Sequence, residues 1–395
     1  MAQNVASAPA PSLRQEPASS KSPERRSPPF RHTYGAVDLG TNNCRLLIAR
    51  PFDGGFTVVD AFSRIVRLGE GLSHSGALSD AAMDRAVGAL AICADKLRRR
   101  NVSLSRSVAT EACRRARNGE AFVERVKRET GIVLDIIEPQ EEARLAVLGC
   151  HKLLEPGDGP ALIFDIGGGS TELVLVDQDA GAPKIRSWWS APWGVVSLTE
   201  SEGKVALEGP DRLKAYRRMR ERARRAFASF ASTLPSDAPG IRLLGTSGTV
   251  TTLASVHLAL PAYDRRAVDG LHVPVNAMQR ISTMIAEMGH EERAALPCIG
   301  RDRADLVVAG CAILEAIVEI WPAKTLGLPI GEFARASCVR LWRATATPCE
   351  AHPHRKGAKT VVDAMARAPA ERSLRPAGQG GKLPQPRRIQ AHRTG

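Results

Sequence analysis

Leu162-Ile-Phe-Asp-Ile-Gly-Gly-Gly-Ser-Thr-Glu-Leu-Val-Leu-Val176 is the stretch that decides the fold. Two β-rich apolar runs, Leu162–Phe164 and Leu173–Val176, flank an aspartate, three glycines and a Ser-Thr-Glu. That order reads as a strand, a tight turn and a returning strand, because glycine reaches backbone conformations closed to other residues. Three consecutive glycines also leave amide N–H groups uncovered by side chains, so an anion can approach them closely. Gly167, Gly168, Gly169 and Ser170 form the tip, with Asp165 and Glu172 at its two edges. The turn reads as a phosphate site with carboxylates beside it.

The pattern occurs once earlier, in Val37-Asp-Leu-Gly-Thr-Asn-Asn-Cys-Arg-Leu-Leu-Ile48, at an offset of 127 residues. Asp38 then matches Asp165, Gly40 matches Gly167, Asn43 matches Ser170, and Leu46–Ile48 matches Leu173–Leu175. One such hairpin alone is an ordinary β-turn. Two in register predict a duplicated α/β domain whose acidic turns face each other across a cleft. Gly40, Thr41 and Asn42 at the first tip would share one phosphorylated ligand with the second. A third arrangement, Gly245-Thr-Ser-Gly248 between a strand and a helix start, also presents N–H groups to an anion.

A chain of 395 residues suffices for two or three domains. Its formal net charge is +13, unevenly placed: residues 1–33 carry five basic and two acidic side chains, residues 343–395 eleven and three. The basic character therefore belongs mainly to two Pro-, Ser-, Arg- and Gly-rich tails, where disorder is expected and where nucleic acid would be touched only non-specifically. Eight scattered cysteines without a C-x-x-C pair fit buried free thiols in a reducing cytosol. The absence of a long apolar run predicts no membrane span, and the first 33 residues lack the apolar region of a secretory signal.

The expected boundaries are a tail at 1–33, a first domain at 34–138, a second at 139–322, a segment at 323–343 returning to the first, and a tail at 344–395. Helices are predicted over Ser79–Asn101, Gln140–Leu154, Pro210–Ser232, Val275–Met288, His290–Leu296, Ala304–Trp321 and Gly331–Trp342, with Gly194–Leu198 opening a loop. The Arg-rich face of Pro210–Ser232 is the best candidate wall for a channel taking an acidic polymer.

With these motifs laid out, the sequence resembles the exopolyphosphatase/guanosine pentaphosphate phosphohydrolase (Ppx/GppA) family. The resemblance rests on ordered motifs between about Ala36 and Leu314. They are Val37-Asp-Leu-Gly-Thr-Asn-Asn43, Arg67-Leu-Gly-Glu-Gly71, Ala109-Thr-Glu-Ala-Cys-Arg-Arg-Ala-Arg-Asn118, Glu141-Glu-Ala-Arg-Leu145, Asp165-Ile-Gly-Gly-Gly-Ser-Thr-Glu172 and Gly245-Thr-Ser-Gly-Thr249. It implies two ribonuclease-H-like domains of the actin-like (sugar kinase/heat-shock ATPase) group, in a short form without the helical C-terminal extension.

It implies Glu142 as catalytic base with Glu141 the fallback, Glu172 assisting at the water or metal, and Arg114 and Arg67 among the phosphate contacts. Mg²⁺ is expected near Asp38, Asp165 and Glu172, with Thr246 and Ser247 in the phosphate-binding loop. The implied reaction releases terminal orthophosphate from inorganic polyphosphate, guanosine pentaphosphate or both, and a homodimer is expected. The chain departs from the family after Trp321, where Gly327-Leu-Pro-Ile-Gly-Glu-Phe-Ala-Arg335 replaces the usual Asp-Arg-Gly-Leu-Arg-Glu-Gly-like turn. The alternatives are a non-catalytic polyphosphate or alarmone sensor and an ATP-using kinase of the same superfamily.

Overall fold

The computed structural model describes residues 32–52, 55–150, 159–177, 184–203, 208–232 and 241–329. Five strands form the first sheet: β1 (Tyr34–Leu39), β2 (Asn43–Phe52), β3 (Gly55–Ile65), β4 (Leu104–Ala109) and β5 (Asp135–Ile136), in the order β3-β2-β1-β4-β5. β1 to β3 are an antiparallel meander, and β4 and β5 run parallel to β1. The second sheet holds β6 (Ala161–Ile166), β7 (Thr171–Asp177), β8 (Lys184–Ala191), β9 (Arg242–Gly245), β10 (His272–Pro274) and β11 (Thr325–Gly327) in the order β10-β11-β9-β6-β7-β8. Read from β8, it repeats the first sheet strand for strand, with β10 added antiparallel at the far edge. The 127-residue offset is thus a duplication of topology, as the ribonuclease-H-like reading requires.

Local chemistry explains the elements that frame the cleft. The helix Asp80–Arg99 starts where the Ser79 hydroxyl accepts from the Ala82 amide, and Lys96, Arg98 and Arg99 complement the dipole at its end. Its buried face (Ala86, Leu90, Cys93) joins Phe122 and Val126 of the helix Gly119–Thr130 in the first core. In the second core, Met219, Phe227 and Phe230 of the helix Arg212–Ala231 pack with the helix Val307–Ile320, which is buried almost all round and correspondingly apolar.

The helix Pro139–Cys150 belongs to both halves. Ala143, Ala146, Val147 and Cys150 pack on Ile163 and Val174 of the second sheet, while Leu145 packs on Val108 of β4 and on Ile137. Its first turn therefore arrives where the halves meet.

Three expectations change. Gly194–Leu198 is not a loop: the helix Val195–Glu202 starts there, with the Gly194 amide donating to the Ser197 hydroxyl at 2.9 Å. Residues 323–329, the described part of the segment expected to return to the first domain, lie instead with the second: β11 runs parallel to β9, and Leu326 and Leu328 are buried in the second core. Five of the seven arginines of Arg212–Ala231 carry acidic partners rather than forming an open basic wall: Arg218 and Arg222 pair with Glu202, Arg220 with Glu315, and Arg224 and Arg225 with Glu221. The predicted helix Gly331–Trp342 lies outside the described residues. Among the described residues the six cysteines are free and buried, and no helix is long and apolar enough to cross a membrane.

Removing the cap of Asp80–Arg99 tests the framing of the first half. Ser79→Ala should lower unfolding stability by about 1 kcal/mol, read from denaturant midpoints at unchanged m-value.

Candidate active site

Both hairpin turns close with the same hydrogen bond: the Gly40 amide donates to the Asn43 carbonyl and the Gly167 amide to the Ser170 carbonyl, each at 2.9 Å. The turns press against each other. A Cβ on Gly168 would sit 2.8 Å from Thr41 Cβ and 3.0 Å from the Asn42 nitrogen, so only glycine fits.

The carbonyls of the second turn all point one way. Gly167 and Gly168 accept from the Val195 and Val196 amides at 2.9 and 2.7 Å, and Gly169 accepts from the Ser197 hydroxyl at 3.1 Å. In a planar trans peptide the next N–H points opposite. The amides of Gly168, Gly169 and Ser170 are therefore aimed away from the helix Val195–Glu202, on the side where these residues line a cavity of about 140 Å³. In the first turn the Thr41 carbonyl accepts from Gly69, and that of Asn42 from Val66 and Arg67.

Strand register then sets the charges. Asp38 pairs with Arg45 across β1–β2, and Asp165 with Glu172 across β6–β7, so Arg45 and Glu172 occupy equivalent positions in the two repeats. Glu172 is 2 % exposed; burial first, then the Asp165 charge, push its carboxyl up to about 7 despite hydrogen bonds from the Ser170 and Ser190 hydroxyls at 2.7 and 2.9 Å. Burial likewise raises Asp165, which the Arg45 charge holds down in part.

Glu142, in the first turn of Pro139–Cys150, completes the group. Burial and then the Glu172 charge lift its carboxyl well above the usual range, against the lowering effect of Arg114. Its Oε2 is buried and receives no hydrogen bond among the described residues; the Arg114 guanidinium stands 3.6 Å away, with its Nη1 donating to the Ile137 carbonyl. Such an oxygen at a cavity wall is a proton acceptor in waiting.

The cavity is lined by Asp38, Gly40, Thr41, Asn42, Glu142, Asp165, Gly167, Gly168, Gly169, Ser170, Thr246 and Gly248 from the expected set. Arg45, Glu111 and Arg303 were not expected there. Arg303 donates to the Thr252 hydroxyl at 3.0 Å; burial and the neighbouring Arg45 charge both depress its pKa. Like charges drawn together in a partly dry cleft favour an anion between them. Arg45 was legible in principle, since the repeat places it where Glu172 stands, whereas Arg303 lies in no motif that marks it.

Other expected residues are placed elsewhere. The Arg67 guanidinium pairs with Asp305 rather than facing the cavity, because both its Nη atoms are committed to acceptors outside it. Glu141 pairs with Arg106 at 3.0 Å on the other side of its helix. Gly245 is required by packing, as a Cβ there would meet the Phe164 ring at 2.8 Å, and Ser247 caps the helix Gly248–His257 by accepting from the Val250 amide. Asp38, Asp165 and Glu172 are not a three-ligand metal set: among the described residues no three acidic, His or Cys side chains converge on one ion. Asp38 and Asp165 line the cavity, with Glu172 buried across the strand pair from Asp165, and a Mg²⁺ needs only one or two carboxylates, its shell being completed by water and phosphate oxygens.

The description of the Ppx/GppA phosphatase family matches residues 47–328. Exopolyphosphatase 2 of Mycobacterium tuberculosis is 31 % identical over 291 residues, covering 71 % of this chain and 88 % of that protein. The guanosine-5'-triphosphate,3'-diphosphate pyrophosphatase of Aliivibrio fischeri is 28 % identical over 311 residues, and the match covers 77 % of this chain but 58 % of that longer protein. The crystal structure of the Aquifex aeolicus Ppx/GppA family member superposes with a TM-score of 0.65 at 28 % identity, over 80 % of this chain and 99 % of that one.

A methyl group on Gly194 would meet the backbone of Gly167 and Gly168, including the Gly167 oxygen at 2.6 Å. Gly194→Ala should therefore displace the second turn, costing about 1–3 kcal/mol in unfolding stability. Calorimetric affinity for inorganic triphosphate should fall about tenfold or more, a loss of about 1.4 kcal/mol in binding.

Proposed function

The chain belongs to the Ppx/GppA phosphatase family, and we propose that it hydrolyses the terminal phosphoanhydride bond of inorganic polyphosphate, guanosine pentaphosphate or both, releasing orthophosphate. The observation that carries this is Glu142 Oε2, a buried carboxylate oxygen without a hydrogen-bond partner among the described residues, at the wall of the cavity that both glycine turns line.

Hydrolysis needs a positioned water, a group to take its proton, and donors on the phosphoryl oxygens. The amides of Gly168, Gly169 and Ser170, with Arg45 and Arg303, bind and orient the terminal phosphoryl group. Glu142 accepts the proton of the attacking water, and its raised pKa makes it a stronger base than an ordinary carboxylate. The Arg114 charge opposes that rise and favours the ionised form of Glu142. Glu172 raises Glu142 by its charge and is itself fixed by Ser170 and Ser190. One or two of Asp38, Asp165 and Glu172 would hold a Mg²⁺, which would supply positive charge to the phosphoryl group.

The cavity of about 140 Å³ is smaller than the range of roughly 300–1,000 Å³ that encloses a drug-sized ligand. That size supports entry of the end of a phosphate chain, with any nucleoside left outside. The same reading carries a cytosolic enzyme and a homodimer.

With Mg²⁺ and long-chain polyphosphate, Glu142→Gln should lower orthophosphate release by a factor of about 10²–10⁴ while triphosphate affinity is kept. Unchanged release would remove Glu142 as the base. Ionised Glu142 is the active form, so activity should rise with pH through its raised pKa rather than through the ordinary carboxylate range. Glu172→Gln deletes the negative charge that lifts Glu142, which lowers the Glu142 pKa. The acid limb of the residual activity should then move to lower pH, and a limb that stays put or moves up contradicts the coupling.

A further inference from the structure

We propose that Arg67 and Asp305 form a latch that holds the two halves closed around the phosphate chain, which makes them positioning residues for the hydrolysis proposed above. Arg67 Nη1 donates to Asp305 Oδ2 at 2.7 Å, while Nη2 donates to Asp305 Oδ1 and to the Asp302 carbonyl, both at 3.1 Å. This is a bidentate, charge-assisted contact between loops whose neighbours pack in different cores, Val66 and Leu68 in the first and Ala304 and Leu306 in the second.

Each end of the pair is tied to the cleft. On the Arg67 side, the amides of Val66 and Arg67 donate to the Asn42 carbonyl and that of Gly69 to the Thr41 carbonyl, so this loop is bonded to the back of the first phosphate turn. Arg85 fixes the loop to its own half through the Val66 and Arg67 carbonyls and through Glu70. On the other side, Asp305 stands two residues after Arg303 and next to Leu306 and Val307, all three of which line the cavity. The pair therefore sets where Arg303 sits relative to Thr41 and Asn42.

Two further observations mark the loop as held in place. Arg67 has φ +48°, a left-handed conformation that a non-glycine residue keeps only where its surroundings impose it. A few residues on, the Gly71 amide donates to Glu200 Oε1 at 2.7 Å and the Ser73 hydroxyl to Glu200 Oε2, a second bridge to the opposite half. The Arg67 and Asp305 side chains remain 31 % and 19 % exposed, so the latch is strong enough to bias closure and weak enough to open for substrate.

A latch acts on the fraction of molecules already closed. Substrate binding supplies the missing closure, so apparent affinity suffers while turnover at saturation does not. Arg67→Ala and Asp305→Ala should each raise KM for triphosphate about fivefold and change kcat by less than about twofold. The swapped pair, Arg67→Asp with Asp305→Arg, should recover most of that KM. Scattering of the ligand-free single variants should show a larger radius of gyration than wild type, with the difference removed by saturating triphosphate.

A fall in kcat for Arg67→Ala with Asp305→Ala silent would make Arg67 a substrate contact and overturn the latch. So would a lowered unfolding midpoint with KM unchanged, or a folded swap that recovers nothing. Should wild type release no orthophosphate, the hydrolase reading fails alone; triphosphate affinity by calorimetry and the radius of gyration then read the latch by themselves.

Discussion

Glu142, Glu172 and Asp165 hold acidic groups in one region largely closed to water, and each has its pKa raised by that burial. Carboxylates held so close resist sharing full ionisation, because each charge raises the cost of the next. The rest of the site compensates for this. Ser170 and Ser190 hydroxyls are spent on Glu172, Arg114 stands beside Glu142, and the Arg45 charge acts on Asp165. A protein selected for stability alone would replace such a cluster with apolar side chains. Two of the three, Glu142 and Asp165, stand at the wall of an amide-lined cavity, which is where the proposed reaction needs phosphate and proton to meet.

The duplication explains how such a cluster can be assembled. Two copies of one strand order bring two turns tip to tip, and the copies have diverged where charge matters: Arg45 in one is Glu172 in the other. In the proposed reaction one repeat would thus contribute a cation for the phosphoryl group and the other the charge that raises Glu142. The helix Pro139–Cys150, packed on both sheets, delivers Glu142 to the line where they meet.

Much of this was legible in the sequence, for definite reasons. Hairpins with Asp, Gly and returning apolar runs announce themselves locally, and their repetition at a fixed offset announced the duplicated fold. Glu142 and Glu172 came from motif resemblance. What the sequence misled on was direction. Arg67 in a glycine-rich loop looks the same whether it faces a phosphate or Asp305, and Glu141 looks as good a base as Glu142 until the helix is seen to turn it toward Arg106. Strand β11 could have joined either sheet, since short apolar strands carry no address; only packing of Leu326 and Leu328 settles it. Arg303 was missed because a lone arginine before a helix carries no signal until Arg45 is found beside it.

The central claim is that water, activated at Glu142, is the acceptor of the terminal phosphoryl group. Single turnover of polyphosphate with Mg²⁺ in ¹⁸O-enriched water, read by mass spectrometry of the released orthophosphate, tests it directly. One solvent oxygen is expected in each orthophosphate released, with loss of that signal in Glu142→Gln. Orthophosphate released without solvent oxygen, or labelled release that persists at the wild-type rate in Glu142→Gln, would contradict it.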